Sequence, residues 1–565
     1  MKKLILSVAS LCVIYSCGTN KNTEADTTTT QTSTTHPIVT TDTPPEPPEI
    51  NEVVNDEEEL MEDVDVGDVA FMKASKSKRT LVGKNGYMYS NDYNTEEYEP
   101  ITENEFKEVL KNPLSTFSAD VDGASYSNTR RFISRGQLPP KDAVRIEEFI
   151  NYFDYDYKNP TGNNPFSINT EVSECPWNPG NRLVHIGLQG KKIATDNLPK
   201  SNLVFLLDVS GSMDAPDKLP LLKSSFNLLL DQLGENDRIA VVVYAGAAGV
   251  VLPSTSCDDK ETIIDAINKL DAGGSTAGGE GIQLAYKIAQ ENFIKGGNNR
   301  IILATDGDFN IGTSSNAELV RLIEEKRKSG VFLSVLGFGS GNYKDSKMEQ
   351  LADKGNGNYN YIDNLFEAKK VLVNEMGGTM MTIAKDVKIQ IEFNPAKVAQ
   401  YRLIGYENRK LNNEDFNDDT KDAGEIGSGH TVTALYEIVP VGKENSTSTD
   451  YKYLQTSISE TAYKGNELAT VKFRYKAPNS DTSSLLEQII KDNNTELSKT
   501  SDNFRFSAAV AEFGLLLRDS KFKGSANYPQ LLELAKGAKG KDEYGYRIGF
   551  ITMAESSQSL RREPY

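Results

Sequence analysis

Apolar residues fall into two alternating registers along the middle of this chain. Continuous runs at Leu203–Leu207, Arg238–Tyr244 (RIAVVVY), Ile301–Ala304 and Val331–Phe338 have the length and β-branched content of strands buried on both faces. Between them, Leu219–Leu233, Glu261–Leu270, Glu280–Phe293 and Ala317–Lys328 repeat apolar residues at helical spacing. Val250–Leu252 reads as a short edge strand, Asp345–Lys354 as a helix, Tyr359–Ile362 as the last strand and Leu365–Met380 as the last helix. Strand alternating with helix over residues 201–380 predicts an α/β unit, with a doubly wound, mostly parallel sheet.

The flanks follow another pattern. Arg130–Arg135 and Ala143–Phe153 read as helices, and Phe166–Val172 and Leu183–Leu188 as strands. After residue 380, Val387–Phe393, Tyr401–Ile404, Val432–Val439 and Leu468–Tyr475 alternate as strands, while Phe504–Leu517 and Leu531–Ala538 are helical. Tyr406–Gly429 is polar and acidic, a loop insertion. Strands on both sides of the central unit predict a smaller β-rich domain built from both flanks, with a C-terminal helical portion.

Chemistry concentrates at the end of the first central strand. Asp208-Val209-Ser210-Gly211-Ser212 puts a carboxylate and two hydroxyls at alternate positions of a strand-leaving loop, where open parallel sheets bind ligands. Such hard oxygen groups suit a small divalent cation. Gly273-Gly274-Ser275-Thr276 is a glycine-rich loop ending in a hydroxyl, and Thr305-Asp306-Gly307-Asp308 closes a third strand. The pattern D-x-S-x-S resembles the metal-ion-dependent adhesion site of von Willebrand factor A domains, and the order and spacing of all three loops match that family. The resemblance implies that Ser210 and Ser212 bind Mg²⁺ (or Mn²⁺ or Ca²⁺) directly. Asp208, Asp306 and Thr276 would act directly or through water, and an Asp or Glu of a protein partner would complete the shell.

Lys2 and Lys3 precede the apolar stretch Leu4–Tyr15, which has signal-peptide length. Ile14-Tyr15-Ser16-Cys17-Gly18 resembles the bacterial lipobox, so residues 1–16 are expected to leave and Cys17 to be acylated. No Asp follows Cys17, which favours the outer membrane of a Gram-negative cell envelope. Residues 17–70 form a tether: twelve acids and no Lys or Arg lie between Asp42 and Asp68, a composition that stays disordered. An N-terminal domain at 71–200, the α/β domain at 201–380 and a C-terminal domain at 381–565 complete the plan. Together with Asn112-Pro113-Leu114-Ser115-Thr116-Phe117-Ser118-Ala119-Asp120-Val121-Asp122, this arrangement resembles the YfbK-like bacterial lipoproteins.

Net charge is −19, which argues against a nucleic-acid partner and polybasic docking to lipid. The chain has three histidines, His36, His185 and His430, none near the three loops, and no nucleophile or zinc-protease motif. His185 reads as a packed strand histidine, Asp120–Ser125 as a structural turn, and Cys175 and Cys257 as unpaired. The expected function is a non-enzymatic, membrane-anchored lipoprotein that grips a partner's carboxylate through the cation. The alternative is an envelope scaffold in which the metal only staples the loops.

Overall fold

The apolar run at 203–207 lies at the centre of a six-stranded sheet in the computed structural model, and every residue of the strand Ser201–Asp208 is buried. The structure describes residues 95–561, with breaks at 120–121, 163, 194–198, 275–277, 308–315, 376–380, 444–456 and 479. Met1–Asn91 is a separate unit, described only at the paired short strands Leu81–Val82 and Met88–Tyr89.

In the N-terminal flank the chain forms β1 (Leu114–Ser118), α1 (Ala124–Ser134), α2 (Ile146–Asn151), β2 (Phe166–Glu174) and β3 (Arg182–Gly190). The central unit begins with β4 (Ser201–Asp208), α3 (Leu219–Leu230), β5 (Arg238–Ala245), β6 (Ala247–Ser256), α4 (Lys260–Asn268) and α5 (Gly278–Glu291). It continues through β7 (Asn298–Thr305), α6 (Asn316–Lys326), β8 (Phe332–Phe338), α7 (Asp345–Lys354), β9 (Tyr359–Ile362) and α8 (Leu365–Lys369). Strand order is β9-β8-β7-β4-β5-β6, parallel throughout except for antiparallel β6. Leu203, Phe205 and Leu207 pack with α3, α4 and α8, whereas Val204 and Leu206 pack with α5, α6 and α7. The period-2 geometry of the strand divides one apolar run between two cores.

The C-terminal flank adds β10 (Thr382–Phe393), β11 (Val398–Ile404), β12 (Gly424–Gly427), β13 (Thr431–Pro440), β14 (Glu467–Lys476) and β15 (Ser483–Lys491). Helices α9 (Asp502–Arg518), α10 (Tyr528–Gly537) and α11 (Tyr546–Arg561) close the chain. One sheet runs Lys107–Glu108, β11, β13, β3, β2, and a second runs β12, β10, β14, β15 with β1 also on β10. The expected joint β-rich body is therefore present, but as two five-stranded sheets facing one core. N-terminal β3 pairs with C-terminal β13 from Arg182 to Gln189, so the α/β unit is inserted between two halves of one sandwich.

Several elements depart from expectation. β1, β15 and α11 were not foreseen, and β12 sits inside the supposed 406–429 loop. The last central helix is only five residues long and continues as a π-helix over Lys370–Asn374, while residues 376–380 of the expected helix lie outside the described residues. Cys175 and Cys257 are free and buried. His185 is 2% exposed, bonded to the Tyr157 hydroxyl at 2.7 Å and the Ser507 hydroxyl at 3.0 Å. Burial pushes its pKa down to about 3, so it is a neutral packing residue. Of the expected turn at Asp120–Ser125, Asp120 and Val121 lie outside the described residues, while Asp122 accepts the Tyr359 N–H at 2.7 Å and pairs with Arg409 at 2.9 Å.

Helix α9 is buried on nearly all sides, against α2, α10, α11 and the outer face of the first sheet. Glu512 lies in its middle, 0% exposed. Its Oε1 accepts the Asn527 N–H at 2.9 Å, whereas Oε2 has no partner among the described residues. Burial raises this carboxyl from 4.5 to about 7, opposed by the Asn527 bond. The folded state therefore holds a proton that the unfolded chain loses first. Stability from this group is full below pH 4.5 and declines as pH climbs through 7. Glu512→Gln should raise unfolding free energy by roughly 2 kcal/mol at pH 8 and little at pH 4.5, measured in urea melts; a gain equal at both pH values would refute this account.

Candidate functional site

β4 and β7 are neighbours at the point where strand order reverses, so the loops leaving them converge at the carboxyl end of the sheet. Asp208 and Asp306 both end there with 0% exposure, beside 2%-exposed Ser210. The Ser210 N–H donates to Asp208 Oδ1 at 2.9 Å, which tightens the turn. The Ser210 and Ser212 hydroxyls bond at 3.0 Å, with Ser212 facing solvent. Tyr244 and Thr305 hydroxyls donate to Asp208 Oδ2 at 3.2 and 3.3 Å. The glycine-rich loop is drawn in by Gly273 N–H to Val209 O at 2.7 Å and Gly211 N–H to Gly274 O at 3.2 Å. Thr276 and Cys17 lie outside the described residues. Burial, reinforced by Asp306, raises Asp208 to about 6 against the pull of the Ser210 and Tyr244 bonds.

What neutralises this acidic end is a lysine. Lys218 Nζ lies 2.8 Å from Asp306 Oδ2, with side-chain exposures of 9% and 0%. Its stem crosses Gly339, where a Cβ would come within 2.3 Å of Lys218 Cε and where φ is +72°. Glycine at that position lets the lysine enter. The Asn342 amide also lies within 3.5 Å of Asp306.

The expected Mg²⁺, Mn²⁺ or Ca²⁺ centre at Asp208, Ser210, Ser212, Thr276 and Asp306 is overturned. Among the described residues, no group of three or more His, Cys, Asp or Glu is placed to hold a metal ion. The ammonium of Lys218 supplies the positive charge that Asp306 requires. The metal-ion-dependent adhesion role falls with the ion, and so does the partner Asp or Glu that was to complete its shell. The three-loop pattern brought Asp208, Ser210, Ser212 and Asp306 to one place, but it did not reveal what sits between them. Lys218 follows Asp208 by ten positions, and its only sequence signal is a lone cation ahead of a helix start.

Sequence reasoning also missed the flank residues that reach this end of the sheet. Arg130 of α1 binds Asp363 at 2.8 Å and Glu367 at 2.7 Å, while the Tyr152 hydroxyl donates to Glu367 at 2.6 Å. Arg131 pairs with Glu96, which also accepts the Gly341 N–H at 2.9 Å and the Tyr98 hydroxyl at 2.8 Å. Arg135 reaches Ser340 at 2.9 Å and Asp217 at 3.3 Å. The N-terminal flank thus straps the 339–344 loop and the start of α8.

Comparison with known proteins agrees with this architecture. Residues 202–375 match the model of the von Willebrand factor type A domain, residues 92–185 a model described as von Willebrand factor, and residues 378–560 that of the C-terminal part of uncharacterized protein YfbK. The chain is 44% identical over 497 residues to uncharacterized protein YfbK of Escherichia coli K12, covering 87% of this chain and 84% of that protein. It is 32% identical over 190 residues to uncharacterized protein sll0103 of Synechocystis, covering 33% and 43% respectively. Among solved structures, a von Willebrand factor type A protein from Catenulispora acidiphila aligns over 70% of this chain and 91% of its own, at 15% identity and TM-score 0.39.

Removing one member of a buried ion pair strands the other, at a cost of about 3–5 kcal/mol. Lys218→Met should therefore lower unfolding free energy by ~3 kcal/mol, and adding Asp306→Asn to it should restore part of the loss. Urea denaturation of the single and double variants decides this; an unchanged Lys218→Met protein would remove the pair from the account.

Proposed function

Because the chain belongs to the YfbK family and carries a von Willebrand factor type A domain, we propose that it is a non-catalytic docking scaffold of the bacterial cell envelope. Such domains are characteristically adhesion and scaffold modules without catalysis, and this protein is not an enzyme. The observation that carries the reading is the Lys218–Asp306 pair. It holds the ligand-facing end of the sheet together with the protein's own charges, so recognition runs through a preformed surface. Straps from Arg130, Arg131 and Arg135 stiffen the neighbouring 339–344 loop and the start of α8. A rigid surface loses little freedom when a partner docks, which favours affinity.

The envelope address rests on the first seventeen residues: two lysines, an apolar stretch and Cys17 as the point of acylation. Among the described residues no helix is long and apolar enough to cross a membrane, and acyl chains would supply attachment without one.

Two experiments test the halves of this reading separately. A photo-cross-linking residue at Ser212, on the full chain in cells, should give the same protein adduct in EDTA as in Mg²⁺. No adduct, or one that forms only with Mg²⁺, would overturn the preformed surface. Cys17→Ala should move the protein from the membrane to the soluble fraction; retention at the membrane would exclude acylation as the anchor.

A further inference from the structure

Helix α7 is held to both flanks by a dense group of buried charges. Arg145, just before α2, lies 3.0 Å from Glu349, 3.5 Å from Glu148 and 3.9 Å from Asp345. Arg409, from the C-terminal flank, lies 2.9 Å from Asp122 and 3.1 Å from Glu349, and also binds Asp353. Asp122, Glu148, Asp345 and Glu349 are each 5% exposed or less. Neutral donors add to these ion pairs. Ser125 N–H reaches Glu148 at 2.8 Å, Tyr359 N–H reaches Asp122 at 2.7 Å, the Tyr359 hydroxyl reaches Asp345 at 3.1 Å and Asn408 reaches Glu349 at 2.5 Å. Five carboxylates drawn from two segments thus share two guanidiniums. Full ionisation would leave buried negative charge unmatched, an arrangement that protonation relieves.

We infer that this junction is a proton-dependent latch, closed while its surplus carboxyls hold protons and loosened when they ionise, with α7 as the released element. α7 begins at Asp345, directly after the 339–344 loop, whose Gly341 N–H bonds to Glu96 and whose Asn342 borders Asp306. Loosening α7 therefore frees the loop beside the candidate site.

The groups facing each carboxyl set the pH window. Asp345 faces Arg145, Glu349, Glu96, Tyr98 and the Tyr359 hydroxyl, and burial lifts it from 3.8 to about 7 against the pull of Arg145. Glu148 faces Arg145, Glu349, Asp345, Glu147, Asp122 and Tyr359, and burial raises it well above the usual carboxylate range. Asp122 faces Arg409, Asp353, Glu148 and Glu349, and burial raises it likewise. These carboxyls hold protons in the latched form that the opened form gives up. For Asp345, the opened population gains about tenfold per pH unit between its two pKa values and levels off above 7.

Hydrogen exchange of the full chain, corrected for the intrinsic rate, reads this directly. Between pH 6 and pH 8, amides of residues 345–354 and 341–344 should lose protection at least tenfold, while β4 keeps its own. Asp345→Asn should shrink that loss by about tenfold, and Glu148→Gln repeats the test on a residue of α2 should the first variant not fold. Equal protection of the wild type at both pH values, or an undiminished loss in the variants, would overturn the latch.

Discussion

A buried carboxylate needs a cation or a proton, and in this protein the cation commonly comes from a distant stretch of chain. Asp306 receives Lys218 from the start of α3. Asp363 and Glu367 receive Arg130 of the N-terminal flank, and Asp122, Glu349 and Asp353 receive Arg409 of the C-terminal flank. Within the sandwich, Glu437 receives Arg402 at 3.0 Å. Each pair would leave a desolvated charge if its partner segment moved away. The segments are thereby bound to one arrangement by electrostatic necessity as well as by apolar packing.

That requirement explains why the flanks and the α/β unit behave as one body. The sandwich is completed only when N-terminal β3 meets C-terminal β13, so the inserted unit must bring its two ends together. The edge of the inserted sheet is covered in the same way. Asp122 accepts the Tyr359 N–H of β9, and the Gly123 N–H donates to Tyr359 O at 3.4 Å. An edge strand that would otherwise offer unpaired backbone groups is capped by the flank.

The functional consequence lies at the Asp208–Asp306 end. A von Willebrand factor A domain with an open acidic end would call for an outside cation. Here Lys218 occupies that role from within, and Gly339 supplies the space that its stem needs. Docking then depends on a surface set by folding. Whatever alters the loops around Asp306, including the junction at α7, alters that surface without any change of bound ion.

Much of the α/β unit was legible because a strand buried on both faces must be apolar throughout, as Leu203–Leu207 is, and because helices at 3.6-residue spacing must lie between parallel strands. The convergence of Asp208, Ser210, Ser212 and Asp306 was legible for the same reason, since loops after parallel neighbours share one end of the sheet. β15 was not, because an edge strand with exposed Leu485 and Ile489 carries no strict apolar alternation. Neither was α11, whose buried Tyr546, Phe550, Met553 and Ala554 are interleaved with polar residues. Sequence alone determined the chain's alternation of elements and the acidic end of the sheet, which are properties of local spacing. The tertiary structure alone decided that a lysine, not a metal, answers that acidity, and that flank arginines lock the unit. Charge pairing between distant segments depends on three-dimensional proximity, which no local pattern of residues encodes.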